Sequence, residues 1–293
     1  MKLKTLLLVV LMVGVATSAF AQYGAFSKEE LIEYTPKNPF ERYEDGRPKV
    51  PAEWLERMEK VTLEEAWGVL RKHGYHNQFA GNWEHVNPEQ VLVGRALTAV
   101  FMPKRPDLDE ITNQLGDQDG NIGPQNSWVI DRLHENDVPV IDLFGKIKDG
   151  TFAGDNLATS IYSKTGTGFI VNGGSRDLAG ISEMEGIRVF VRGFDPTALA
   201  GVTLTGINVP IQIGEATVMP GDVVLGTKGG LIFIPPHLVQ EVVETSEDIR
   251  LRDQFGHQML REGVYTPGQI DTQWTEEIEE HFEQWKEELM GEQ

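Results

Sequence analysis

Residues 169–177 read Phe169-Ile170-Val171-Asn172-Gly173-Gly174-Ser175-Arg176-Asp177. Three large apolar residues after Gly168 predict a short buried strand. A Gly pair interrupts it and an Arg-Asp pair follows. In α/β proteins the end of such a strand is a common place for a ligand site. Upstream lies Phe152-Ala153-Gly154-Asp155-Asn156-Leu157-Ala158-Thr159. Gly154 permits close approach of the backbone, and Asp155 is expected to cap a helix over 156–163. The unpaired N–H groups of a first helical turn suit a carboxylate or phosphate. Twenty residues separate Asp155 from Arg176, giving Asp-x20-Arg-Asp. That spacing alone is weak, because a capping Asp and a surface Arg–Asp pair would produce it too. The context, one segment opening a helix and the other ending an apolar strand, favours a site.

Outward from these segments, short strands and helices alternate, which predicts the α/β class. Strands are expected over 91–102, 138–144, 168–171, 187–191, 202–213, 223–225 and 231–234. A helix is expected from Pro235-Pro236 through Leu260. Thr62-Leu63-Glu64-Glu65 is a capping box. It opens a helix whose apolar face would carry Leu63, Ala66, Trp67 and Leu70, with Gly74 as its stop. Residues 22–51, with Pro36, Pro39, Pro48 and Pro51, read as an extended lead-in, and 103–127 as a polar loop. Within that loop, Asp117-Gln118-Asp119-Gly120-Asn121 faintly resembles a calcium loop. Ile122 and Trp128 occupy its sixth and twelfth positions, where Gly and Glu are needed, so a turn is expected. In the tail, Trp274, Ile278, Phe282, Trp285 and Leu289 share one helical face. The expectation is an amphipathic helix packed on its own domain, with packing across a subunit interface as the alternative.

The chain resembles the RraA-like family, which includes the class II 4-hydroxy-4-methyl-2-oxoglutarate aldolases and the regulator of RNase E activity. The resemblance rests on Gly154-Asp-Asn-Leu-Ala-Thr159, Val171-Asn-Gly-Gly-Ser-Arg-Asp177, Val189-Phe-Val-Arg-Gly193, Asn208-Val-Pro210 and Met219-Pro-Gly-Asp222. It implies a swivelling β/β/α domain over 55–245, an N-terminal extension over 22–54 and a C-terminal helical extension over 246–293. It also implies homotrimers or trimer pairs (hexamers) with sites between subunits. In the aldolases the Asp of the Arg-Asp pair holds a divalent metal, so that role falls on Asp177, with Mg2+ or Mn2+. Arg176 would bind the keto-acid and stabilise the enolate. Asp155 would hold the catalytic water, and Gly154 with the amides of Asn156 and Leu157 would receive the substrate carboxylate. The implied reaction is aldol cleavage or decarboxylation of a small 2-keto acid to pyruvate. Elementary chemistry agrees: magnesium is held by one or two carboxylates, a Lewis acid suits a keto oxygen, and Arg presents a planar fork to a carboxylate. A non-catalytic ligand-binding or regulatory scaffold is the competing class, because fold alone does not fix function.

The chain departs from relatives in three places. It has both extensions; it has Gly226-Thr-Lys-Gly-Gly230 where many relatives have an Asp-rich turn; and it has an N-terminal leader. Lys2 and Lys4, the apolar run Leu6–Val15 and Ala19-Phe20-Ala21 read as a signal peptide over 1–21. They predict an exported, periplasmic or secreted protein with no membrane segment once the leader is removed. Export would separate it from a cytoplasmic RNase partner. The chain has 293 residues, no Cys and a net charge of −19. No Cys excludes disulfides, thiolate zinc and a cysteine nucleophile, and the acidic excess argues against nucleic-acid binding. The seven His show no His-x-x-x-His or His-Glu-x-x-His spacing for zinc. Ser175 lacks a Gly-x-Ser-x-Gly elbow. A Schiff-base mechanism would need a desolvated Lys, and Lys164 and Lys228 are the nearest in sequence. No Gly-rich fingerprint supports methyl-donor binding.

Overall fold

The computed structural model describes Gly24 and residues 26–291, so the expected signal peptide lies outside the described residues. Helices α1 (Lys28–Tyr34), α2 (Ala52–Met58) and α3 (Leu63–Lys72) precede short strands β1 (Phe79–Ala80) and β2 (Glu84–Val86). Strand β3 (Leu92–Pro103) leads through α4 (Pro106–Gln118) and α5 (Gln125–Asp131) to β4 (Asp137–Thr151). Helix α6 (Asp155–Thr165) leads to β5 (Gly168–Ser175), and α7 (Leu178–Ser182) leads to β6 (Arg188–Phe194). Strands β7 (Val202–Ile207), β8 (Ile211–Ile213), β9 (Ala216–Val218), β10 (Val223–Thr227) and β11 (Gly230–Ile234) follow. A 3-10 turn (Pro236–Leu238) then runs into α8 (Val239–Glu262), α9 (Pro267–Ile270) and α10 (Glu276–Gly291).

The main sheet runs β1-β11-β10-β3-β4-β5-β6-β2, with β7 on the far half of β3. Strands β3 to β6 are parallel neighbours in sequence order, and the flanking pairs are antiparallel. Right-handed crossovers between such neighbours put their helices on one face. Alternation along β3 shows both faces. Val93, Leu97, Ala99 and Phe101 meet the helical layer, whereas Leu92 and Ala96 meet the β8–β9 ladder. Helices, large sheet and small ladder give the β/β/α layering that was expected.

Three expectations need correction. The lead-in is not wholly extended, because α1 begins with a capping box at Ser27 and Glu30 and buries Leu31. Arg47 then anchors the lead-in through a buried ion pair with Asp137, 2.7 Å. Residues 103–127 are not a loop but hold α4 and the start of α5. Pro106 sits at the start of α4 with Asp107 and Asp109 in its first turn, a favourable helix opening. Its inward side carries Asp109, Thr112 and Gly116, while Leu108 and Ile111 face out. That inverted pattern hides the helix from a periodicity reading. The calcium-like stretch ends α4 in a turn, with Gly120 at φ +76°. Finally, Thr62 does cap α3, but Trp67 is exposed beneath the Arg71 guanidinium, and Val69 joins the buried face.

Helix α8 continues unbroken across residues 245 and 246. Its Phe255 ring receives Trp274, Phe282 and Trp285 at 5.4, 5.5 and 5.7 Å, so α10 docks on its own chain. No helix among the described residues is long and apolar enough to cross a membrane.

Candidate functional site

Strand β5 ends in Gly173 and Gly174 because β4 folds back against it. A Cβ at these positions would lie 2.9 Å from Lys146 O and 2.8 Å from Ile147 O respectively. Between Asp142 and Thr151, β4 touches β5 only at Lys146, opposite Gly173, and bulges on either side with Phe144, Gly145 and Asp149 at positive φ. It returns at Thr151 opposite Gly174 and delivers residues 152–154 to the end of β5. Phe152 N–H donates to Gly174 O at 3.0 Å, and Arg176 N–H donates to Ala153 O at 3.1 Å. The Ser175 hydroxyl also donates to Ala153 O, at 2.7 Å. Asn126 Nδ2 donates to Phe152 O at 2.7 Å. The two segments singled out in the sequence are thus clamped together beyond the carboxyl ends of parallel strands.

Asp177 adopts φ +56°, ψ 39°, and its side chain makes no cap on α7. Asp tolerates this left-handed geometry better than most side chains. Its carboxylate points to Gly154, where a Cβ would lie 2.2 Å from Asp177 Oδ2 and 3.0 Å from Arg176 Nε. Arg176 Nε stands 3.6 Å from Asp177 Oδ2, and the two side chains are 41% and 39% exposed. Among the described residues the terminal guanidinium nitrogens of Arg176 have no protein acceptor. The site is open to solvent, with a cation and an anion side by side.

Asp155 is the first residue of α6, and Gly154 holds the N-cap position, one residue earlier than expected. Asp155 Oδ1 accepts the Asn156 N–H at 2.7 Å. A ligand carboxylate would have to compete with Asp155 for that amide. Ala158 N–H is the first to reach back, to Gly154 O at 2.9 Å, so the Leu157 N–H lacks an intrahelical partner. The far side of Asp155 abuts α7, where a Cβ on Gly180 would lie 3.0 Å from its Oδ2. Gly154, Asp155, Asn156, Leu157, Arg176 and Asp177 therefore gather beyond the carboxyl end of β5.

Sequence reasoning missed two supports of this strand end. Asn126 lay inside the supposed loop, and nothing local marks it as a clamp. Asp195 N–H donates to Ser175 O at 3.1 Å. Hydrogen bonds from the Thr197 hydroxyl, then its N–H, hold the Asp195 carboxyl below the usual range. Lys164 spends its ammonium on Ile130 O and Asp131 at 3.2–3.4 Å, and Lys228 pairs with exposed Glu89. Neither is placed as a Schiff-base lysine.

Among the described residues no group of three or more His, Asp or Glu could hold a metal. The site supplies the Asp177 carboxylate, unspent on capping. That donor set fits magnesium or manganese, which take one or two carboxylates and fill the octahedron with water and substrate oxygens.

The family model described as RraA-like, Aldolase/RraA, matches residues 61–233. A Halalkalibacterium halodurans protein named "Putative 4-hydroxy-4-methyl-2-oxoglutarate aldolase" is 27% identical over 175 residues, 54% of this chain and 82% of that protein. Protein DlpA of Legionella pneumophila is 27% identical over 164 residues, 56% of this chain but 24% of that protein. The crystal structure of Streptomyces coelicolor RraAS2, described as an unusual member of the RNase ES inhibitor RraA protein family, superposes with a TM-score of 0.62 at 22% identity. It covers 72% of this chain and 99% of its own.

Proposed function

The chain belongs to the RraA-like family, and we propose that it is a divalent-metal-dependent carbon–carbon lyase. Its substrate would be a small 2-keto acid of the 4-hydroxy-4-methyl-2-oxoglutarate or oxaloacetate type, and its product pyruvate. The observation that carries this reading is the convergence of Arg176 and Asp177 on Gly154 at the end of β5. A magnesium or manganese ion held by Asp177 would supply Lewis acidity to the keto group.

The protein's own residues do the rest. The Arg176 fork, whose Nε faces Asp177, binds the keto-acid and stabilises the negative charge that develops as the carbon–carbon bond breaks. The Leu157 N–H, with Asn156 once Asp155 releases it, receives the substrate carboxylate at the helix N-terminus. Asp155 holds a water that takes the proton from the 4-hydroxyl of an aldol substrate. For oxaloacetate, carbon dioxide leaves instead and the same enolate remains to be protonated. We further place the protein outside the cytoplasm, on the pattern of residues 1–21, and as a homotrimer or pair of trimers.

A panel of 2-keto and hydroxy acids assayed for pyruvate tests the reading. Arg176→Lys keeps the charge but not the fork, and turnover should fall by about a hundredfold or more. Thermal stabilisation by oxalate with no turnover on any panel member would instead favour a ligand-binding scaffold.

A further inference from the structure

We propose that a cavity at the opposite end of the sheet is a second binding site, for a small apolar molecule carrying a primary amine, with Asp222 as the counter-charge. Asp222 directly precedes β10 and lies beside the first residues of β3, whereas Arg176 and Asp177 follow the last residues of β5. The two sites share no residue.

The cavity holds about 390 Å³, within the range of small-molecule sites. Tyr34 at the end of α1, with Pro36 and Lys37 just after it, forms one wall, and Tyr75, Pro236 and His237 form the other. The first wall is pre-formed. Arg42 donates to Thr35 O and to Thr35 Oγ1, both at 2.7 Å, and so fixes the turn. This wall belongs to a segment outside the matched family region, whereas Tyr75 and Asp222 lie within it.

Asp222 is 2% exposed and lines the cavity. Its Oδ2 accepts the Met219 N–H at 2.8 Å. The other buried carboxylates have cations: Asp137 has Arg47 and Asp109 has Lys104, each at 2.7 Å. Among the described residues Asp222 has none. A carboxylate can accept about four hydrogen bonds, and an ammonium offers three donors with the missing charge. Tyrosine faces attract a cation, and the proline rings suit a hydrocarbon body.

Burial raises the Asp222 carboxyl to about 7 against one backbone hydrogen bond. The groups facing it are Tyr75, His237 and Lys37, with His73 behind. Burial first, then Lys37 and His73, lowers His237, so it is largely neutral at pH 7 and adds little repulsion. Burial raises Tyr75, with Asp222 adding to the effect, so the phenol keeps its proton. Among the described residues that line the cavity, Lys37 is the one fixed cation, and it is exposed to solvent.

The test is calorimetric titration of the full chain with benzylamine, with benzyl alcohol and phenylacetate as neutral and anionic counterparts, at pH 6 and pH 8. Benzylamine is protonated at both values, so its binding should tighten up to about tenfold as Asp222 ionises. Asp222→Asn should weaken it tenfold or more and remove the pH dependence. Tyr34→Ala, on a side chain already 60% exposed, should weaken it several-fold without disturbing the fold. If Asp222→Asn fails to fold, the pH series and Tyr34→Ala decide. No binding of benzylamine at either pH, preference for phenylacetate, or full affinity in Asp222→Asn or Tyr34→Ala would overturn the proposal.

Discussion

A methyl group on residue 154 would lie 2.2 Å from Asp177 Oδ2, closer than any tolerable carbon–oxygen contact. Gly154→Ala must therefore push Asp177 or Arg176 out of the site. We predict a loss of at least a hundredfold in kcat/KM, because catalytic geometry is sensitive at the ångström scale. The melting temperature should change little, since both side chains are exposed. Asp177 allows a second separation. Asp177→Asn keeps a side chain that tolerates left-handed backbone, whereas Asp177→Ala should lose a further ~1 kcal/mol, read as a lower chemical-denaturation midpoint. At Asp222 the sign follows from linkage. The folded carboxyl titrates near 7, above its ordinary value, so between those values the folded state holds more protons. Stability must then fall as pH rises from about 4 to 7. Asp222→Asn should remove that component, gaining on the wild type more at pH 8 than at pH 5 in urea unfolding. Gly154, Asp155, Arg176 and Asp177 were legible because glycines and charges cluster beside an apolar run. The capping role was placed one residue late at Asp155, since Gly154 supplies the backbone turn that a capping side chain usually marks.

Elements with inward apolar faces were legible, and those held by polar or local devices were not. The strands from β3 to β6 and the tail helix follow simple alternation or a single apolar stripe. Helix α4 turns Asp109 and Thr112 inward, where Thr203 and Lys104 satisfy the carboxylate, so hydropathy points the wrong way. Helix α1 depends on Ser27 and Glu30. Ser27→Ala should cost about 1 kcal/mol of α1 stability, seen as faster amide exchange over 28–34. The tail depends on one ring: Phe255 centres the cluster that holds α10. Phe255→Ala should remove about 3–5 kcal/mol of packing. Limited proteolysis should then cut between α8 and α10 first, while residues 61–233 persist as a protected fragment.

At the scale of the molecule, the three layers put the Arg176–Asp177 site at the carboxyl ends of the parallel strands and a cavity lined by Asp222 at the other end. The layering was legible from the order of strands and helices. The cavity was not, because its walls come from 34–37, 75, 222 and 235–237, which no local pattern links. The inverted face of α4 also leaves Leu108 and Ile111 exposed, at 38% and 51%. In the trimer we propose, these two side chains would be covered by a neighbouring subunit. Ile111→Asp should then lower the mass measured by sedimentation, and an unchanged mass would place the interface elsewhere. The central claim concerns the Arg176–Asp177 site, and its most direct test is pyruvate release from 4-hydroxy-4-methyl-2-oxoglutarate and from oxaloacetate. Each would be measured with magnesium, with chelator, and in Asp177→Asn. A metal-dependent lyase predicts turnover with magnesium that chelator abolishes and Asp177→Asn reduces by a hundredfold or more. Turnover indifferent to both chelator and Asp177→Asn would contradict it.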